Sequence, residues 1–236
     1  MSSAAPAPAS SVNNLGSVFP DLEVETDTLG VIRVHAYFGG GWGVLFSHPR
    51  DFTPVCTTEL GEASARAGAF AARGVKLLAL SCDSAASHRA WRADICALGG
   101  AAEVPFPIIA DEGRRVAAAL GMLDEDEVDG AGLPATVRKV FVVGPDRRVK
   151  AVLAYPTVAG RSFGELLRLL DALQLGAAHA VATPSSWAPG GDVMLQPTLT
   201  AAEAAAAFPG HRTVPLPSGR GYVRMTADPG AATRPA

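Results

Sequence analysis

The chain has 236 residues, enough for one sizeable core and a small second unit but not for two large domains. Hydrophobic residues at 48% and charged residues at 18%, with every apolar run interrupted early, describe an ordinary globular protein without a membrane span. A net charge of −3 and the lack of any Lys/Arg run leave no basic surplus to neutralise phosphates, so nucleic acid is not an expected partner.

Residues 1–14 are rich in Ala, Pro, Ser and Asn, without the apolar stretch or the arginines of common leaders. They read as a disordered tail on a cytoplasmic protein; an Ala/Ser-rich plastid leader is the alternative, since the first basic residue is Arg33. Asp21 to Glu25 and Val31 to His35 alternate around Asp27 and Gly30, which predicts a β-hairpin. WGVLF from Trp42 is fit for a central buried strand. After the loop SHPRDFTP, Cys56, Leu60, Ala63, Ala67 and Phe70 recur on one helical face until Gly74.

Val75 to Leu80 is the next buried strand, and Asp83 or Ser84 caps a helix carrying His88, Trp91, Ile95 and Leu98 on one face. Pro107 to Ile109 predicts a short strand, followed by a helix through Val116 and Leu120 and then an acidic connector from Asp124 to Asp129. Lys139 to Val143 and Val149 to Leu153 flank Gly144-Pro145-Asp146 as a hairpin, and a Leu-rich helix capped by Ser162 and Glu165 runs to Gly176. Strands alternating with helices, then a hairpin and a closing helix, predict an α/β fold with a mixed central sheet, an order that suits a thioredoxin-like core. The expected boundaries are a main domain over 15–179 and a small C-terminal extension over 180–236, with one helix at Ala201 to Phe208.

Three cysteines, Cys56, Cys82 and Cys96, with no CxxC and no zinc-finger spacing, argue against a disulfide scaffold and against a structural metal. Pro54 suits the first turn of the Cys56 helix, so Cys56 lies where backbone N–H groups are unpaired and the helix dipole favours a thiolate. Such a cysteine is either a packed structural thiol or a nucleophile; the polar, turn-like TPVCTTE favours the nucleophile.

FSHPRDFTPVCTTEL, from Phe46 to Leu60, resembles the active-site segment of the one-cysteine peroxiredoxins. The resemblance continues through VKLLALSCDS, VPFPIIADE, VFVVGPD, AYPTVAGRSF, VATPSSW and LPSGRGYVRMT, covering roughly residues 15 to 229. It implies a thioredoxin-like fold with a C-terminal peroxiredoxin extension, and a thiol-dependent peroxidase that needs no metal or bound redox cofactor. Cys56 would be the peroxidatic cysteine, assisted by Thr53 and Arg138. Pro49 would shield the thiolate, His48 would line the pocket or simply pack, and Glu59 and Arg161 would stand near the arginine. Hydrogen peroxide and organic hydroperoxides are the implied substrates, an external thiol of glutathione or thioredoxin type the reductant, and a homodimer the implied assembly. Cys82 and Cys96 read as packed residues rather than as resolving cysteines. A slow-turnover redox relay or an oligomeric chaperone is the alternative function.

Ionisation by itself does not account for fast peroxide reduction. A thiol of pKa about 8.5 is roughly 3% ionised at pH 7, so full ionisation gains about 30-fold, while a drop of about 3 units loses roughly 20-fold in intrinsic nucleophilicity. Donors that hold the peroxide and stabilise the departing oxygen must supply the rest. Some relatives of this type carry a second, serine-dependent lipase motif; here its segment is Gly39 to Gly43 with Gly41 at the serine position and His35 and Asp146 at the partner positions, so no such activity is expected.

Overall fold

The computed structural model describes residues 13–234. The expected tail falls outside the described residues except for Asn13 and Asn14, which begin the described chain in a short turn. Strands β1 (Glu23–Thr26) and β2 (Gly30–Arg33) form the expected antiparallel hairpin, with Gly30 in the left-handed conformation that its turn requires. Instead of continuing as a strand to His35, the chain coils into a one-turn helix, α1 (Val34–Phe38), which buries Val34 and Phe38.

Strand β3 (Trp42–Ser47) is almost entirely buried and leads to helix α2 (Pro54–Ala65). The single helix expected from Cys56 to Phe70 is broken at Arg66, whose ψ of 2° ends α2 and starts α3 (Ala67–Ala72). Parallel to β3 run β4 (Val75–Ser81) and β5 (Ile108–Ala110), joined by helix α4 (Ala85–Gly99). Ser84 caps α4 by accepting from the Ser87 N–H. Gly61 of α2 packs against Gly99 of α4 so closely that a Cβ on either would collide with the other's backbone.

The short helix α5 (Arg115–Ala119) follows, and then the acidic segment departs from expectation. Rather than a connector, it is strand β6 (Leu123–Val128), paired with β7 (Pro134–Thr136) in a separate two-stranded ribbon. Strands β8 (Arg138–Val143) and β9 (Val149–Tyr155) are the expected hairpin, antiparallel to each other, and β8 is also antiparallel to β3. The main sheet therefore has seven mixed strands in the order β2-β1-β5-β4-β3-β8-β9, which puts β3 and β8 side by side and covers β8 with only the edge strand β9. Phe19, Val24, Leu45, Leu78, Leu80, Ile109 and Phe141 belong to its core.

By internal packing the chain divides at Phe163/Gly164, so that most of helix α6 (Phe163–Ala178) groups with the C-terminal unit. That unit holds strands β10 (Val181–Ala182) and β11 (Val193–Leu195), helix α7 (Ala201–Ala207), and strands β12 (Arg212–Thr213) and β13 (Arg224–Thr226). Thr200 and Glu203 form a full capping box on α7. The four strands form an antiparallel sheet, β10-β11-β13-β12, which strand periodicity did not reveal because no strand exceeds three residues. Leu175, Val181, Trp187 and Val193 give this unit its own small core. No helix among the described residues is long and apolar enough to cross a membrane.

Candidate active site

Strand β3 delivers the chain into the loop from His48 to Thr53. Phe52 reverses its direction with a left-handed φ of 53° and keeps its ring 6.2 Å from that of Trp91. Thr53 is extended and stands at the N-cap of α2, yet its side chain does not cap the helix; Oγ1 donates instead to the Arg50 carbonyl at 2.8 Å. The first helical bond is from the Thr57 N–H to the Thr53 carbonyl, so the amides of Val55 and Cys56 have no intrahelical acceptor. Cys56 is fully buried in this first turn.

Arg138 opens β8, the strand beside β3, and reaches the sulfur from there. Its Nη1 donates to Cys56 Sγ at 3.4 Å and to Glu59 Oε2 at 2.7 Å, while Nε and Nη2 both donate to the Thr157 carbonyl at 2.9 and 2.7 Å. Glu59, one helical turn after Cys56, is also gripped by Arg161. The Arg161 backbone N–H and Nε donate to Oε1 and Nη2 to Oε2, all between 2.7 and 2.9 Å. Cys56, Glu59, Arg138 and Arg161 are all buried. Burial opposes ionisation of Glu59, but the hydrogen bonds and charge of Arg161, with the charge of Arg138, outweigh it and hold the carboxyl below its ordinary value. Two guanidinium groups against one carboxylate leave one positive charge beside Sγ, which a thiolate would neutralise.

His48 and Pro49 have different surroundings. Pro49 is half-buried in the loop. His48 is fully buried, its Nε2 hydrogen-bonded to Asp51 Oδ1 at 2.9 Å and its ring 5.1 Å from that of Trp91. Burial pushes the His48 ring toward its neutral form. A carboxylate only accepts, so Nε2 carries the proton, and Nδ1 is left as a buried acceptor with no partner, the only such side-chain atom among the described residues.

Asp51 and His88 complete a network that sequence reasoning did not assemble. His88 Nδ1 is 2.7 Å from Asp51 Oδ2 and its Nε2 is 3.1 Å from the Ile109 carbonyl; Ser87 Oγ and the Asp51 backbone N–H add bonds to Asp51 Oδ2 and Asp83. Burial opposes ionisation of Asp51, but its bonds to the two histidines hold its carboxyl far below the usual range. The available signal was the His-x-x-Asp spacing together with His88 on the inward face of α4. Potential ligand atoms of His48, Asp51 and His88 lie within 4.8 Å of one another. Ligands about 2.05 Å from a tetrahedral ion would be about 3.3 Å apart. The separations of 2.7 and 2.9 Å are shorter, so the cluster is organised by hydrogen bonds rather than as a metal cradle.

The remaining candidates lie apart from this chemistry. Burial pushes the Cys82 thiol up to about 12, and all three cysteines are free thiols. A Cβ on Gly41 would meet the Gly74 carbonyl at 3.0 Å, His35 is engaged by Phe19, Arg147 and Asp21, and Asp146 by Lys150.

Comparison with known proteins places this geometry among relatives. The family model described as AhpC/TSA matches residues 15–152, and that of the C-terminal domain of 1-Cys peroxiredoxin matches residues 172–211. The chain is 52% identical over 219 residues to Peroxiredoxin-6 of Rattus norvegicus, covering 91% of this chain and 97% of that one, and 51% identical to Peroxiredoxin-6 of Homo sapiens with the same coverage. A cysteine-to-serine mutant of the Peroxiredoxin 6 of Arenicola marina superposes with a TM-score of 0.89 at 49% identity, covering 92% of this chain and 98% of that one. The yeast mitochondrial 1-Cys peroxiredoxin, described in terms of thiol resolution by glutathione/thioredoxin systems, gives 0.82 at 37% identity over 91% and 99%.

Proposed function

Since the chain belongs to the AhpC/TSA family and is a thioredoxin-fold, thiol-dependent peroxidase of the one-cysteine peroxiredoxin type, we propose that Cys56 is its peroxidatic nucleophile, with Thr53 and Arg138 as the other catalytic groups. The observation that carries this assignment is the Arg138 Nη1 donor 3.4 Å from a buried sulfur in the first turn of α2.

In the proposed step the Cys56 thiolate attacks one oxygen of R–O–O–H. An S–O bond forms, the O–O bond breaks, sulfur loses two electrons to the peroxide, and the departing RO⁻ takes a proton to leave as alcohol or water. Arg138 and the unpaired Cys56 amide face charge that builds on the oxygens. Because the Thr53 proton is committed to the Arg50 carbonyl, its oxygen lone pairs are available to accept from the hydroperoxide O–H. Glu59 and Arg161 act through Arg138 as positioning residues; Pro49 and His48 form pocket wall.

This step leaves Cys56 as a sulfenic acid, which an external thiol returns to the thiol. A first thiol displaces water from the sulfenic acid to give a mixed disulfide, and a second thiol releases Cys56 and leaves as the external disulfide. The yeast relative supports a glutathione- or thioredoxin-type reductant for this chain. We extend the proposal to a homodimer in the cytoplasm, supported by the resemblance and by three free thiols suited to a reducing compartment. Light scattering and cell fractionation test these two points.

The deciding experiment mixes reduced wild type and Cys56→Ser rapidly with hydrogen peroxide and follows intact mass with a sulfenic-acid trap. A fast adduct at Cys56 alone supports the proposal. A disulfide to Cys82 or Cys96 would replace the external thiol with an internal resolver, and no fast oxidation would sink the peroxidase mechanism.

A further inference from the structure

The Arg138 guanidinium is held from two sides, and the sides differ in firmness. Glu59, on one, is buried and locked by three bonds from Arg161. The Thr157 carbonyl, on the other, belongs to a turn in which Val158 is 85% exposed and the one turn hydrogen bond runs from the Ala159 N–H to the Pro156 carbonyl at 3.1 Å. An exposed turn with so little internal support moves easily unless it is tied from outside.

The tie is the Thr157 side chain. Its Oγ1 donates at 2.8 Å to Oε1 of Glu127, thirty residues away on β6. The β6–β7 ribbon is itself anchored: Arg114 pairs with Asp129 and donates through Nε to the Pro134 carbonyl at 2.9 Å, and Arg50 Nη2 donates to the Val128 carbonyl at 3.3 Å. Arg50 is also the residue whose carbonyl receives the Thr53 hydroxyl. One acidic ribbon thus touches the segment that orients Thr53 and the segment that orients Arg138.

We propose that Glu127 and Thr157 form a latch through which the β6–β7 ribbon positions Arg138 on Cys56, so that both are positioning residues for peroxide reduction. The proposal rests on the assignment of Cys56 and Arg138 above. Opening the latch frees the Thr157 carbonyl to move, and the guanidinium then rotates about its Glu59 bond. A misplacement on the order of 1 Å at a group that stabilises the departing oxygen slows the reaction by tenfold or more.

The test measures two rates at Cys56 in parallel: oxidation by hydrogen peroxide, which needs Arg138 placed to face the departing oxygen, and alkylation by iodoacetamide, which needs the thiolate but no such donor. Thr157→Val and Glu127→Ala should each slow oxidation by about tenfold, and the double variant should slow it no further, because both remove the same bond. Thr157→Ser, which keeps the hydroxyl, should restore the rate, and alkylation should stay within about twofold throughout. Oxidation of Thr157→Val within twofold of wild type overturns the latch, as does a parallel loss of alkylation, which would mean a disturbed pocket. Wild type that does not oxidise at Cys56 sinks the peroxidase mechanism and the latch with it, and that outcome appears before any variant is compared.

Discussion

Glu59 and Arg138 share an ion pair of 2.7 Å in which neither side chain is more than 3% exposed, one helical turn from the Cys56 sulfur. Glu59 also answers Arg161, so a single carboxylate keeps two buried guanidinium groups compatible. Removing one partner of a buried pair strands the other charge, and Glu59→Gln should therefore cost about 3–5 kcal/mol in denaturant unfolding. The Glu59 carboxyl lies below its ordinary 4.5, so its contribution is present above that pH and is lost as pH falls through the lowered value. The stability gap between wild type and variant should narrow in acid; a gap that stays constant below pH 4 would show that the charge is not what Glu59 supplies.

Arg138→Lys keeps the charge but loses the fork. An ammonium cannot meet the Thr157 carbonyl, the Glu59 carboxylate and Sγ in one plane as the guanidinium does. Stopped-flow oxidation should slow by about 100- to 1,000-fold. A rate within tenfold of wild type would mean that net charge suffices.

Neutral, buried His48 makes stability depend on pH in a fixed direction. Below its ordinary 6.5 the unfolded chain takes up a proton that the folded ring resists, so stability from this group is lost as pH falls from 6.5 through the lowered folded value. Thermal midpoints measured from pH 8 to 5 should fall less steeply in His48→Gln than in wild type. Equal slopes would remove His48 as the titrating group.

With its thiol pushed up to about 12, Cys82 is ionised only on the order of one part in 10⁵ at pH 7. Cys82→Ala should leave both Cys56 oxidation and turnover with an external thiol within about twofold of wild type, because a thiol this weakly ionised makes a poor resolving nucleophile. A turnover rate that collapses, or a disulfide lost along with Cys82, would make it the resolver.

Much of the architecture is legible in local patterns. The hairpin β1–β2, the buried runs of β3 and β4, the Ser84 cap and the Pro54 start of α2 all follow from contacts between residues within a few positions of one another. Resemblance rather than periodicity brought Thr53, Arg138, Glu59 and Arg161 to notice. Three local features misled: the strand expected to reach His35 gives way to α1 after Arg33, the helix expected to run unbroken to Phe70 breaks at Arg66, and the acidic stretch read as a connector pairs as β6 with β7. Its pattern lacks the alternating apolar face by which a strand is recognised.

Sequence alone determined that Cys56 would head a helix beside a buried strand, since a proline, a helical repeat and an apolar run are short-range properties of the chain. Only the tertiary structure decided what surrounds the sulfur. Arg138 is 82 positions from Cys56, Arg161 is 102 from Glu59 and His88 is 37 from Asp51. Those separations close because β8 lies against β3 in the sheet, because the segment before α6 returns over α2, and because α4 packs on α2 where Gly61 meets Gly99. Hydrogen bonds between charged groups so far apart in sequence leave no periodic trace in it, because they are set by which strands and helices become neighbours.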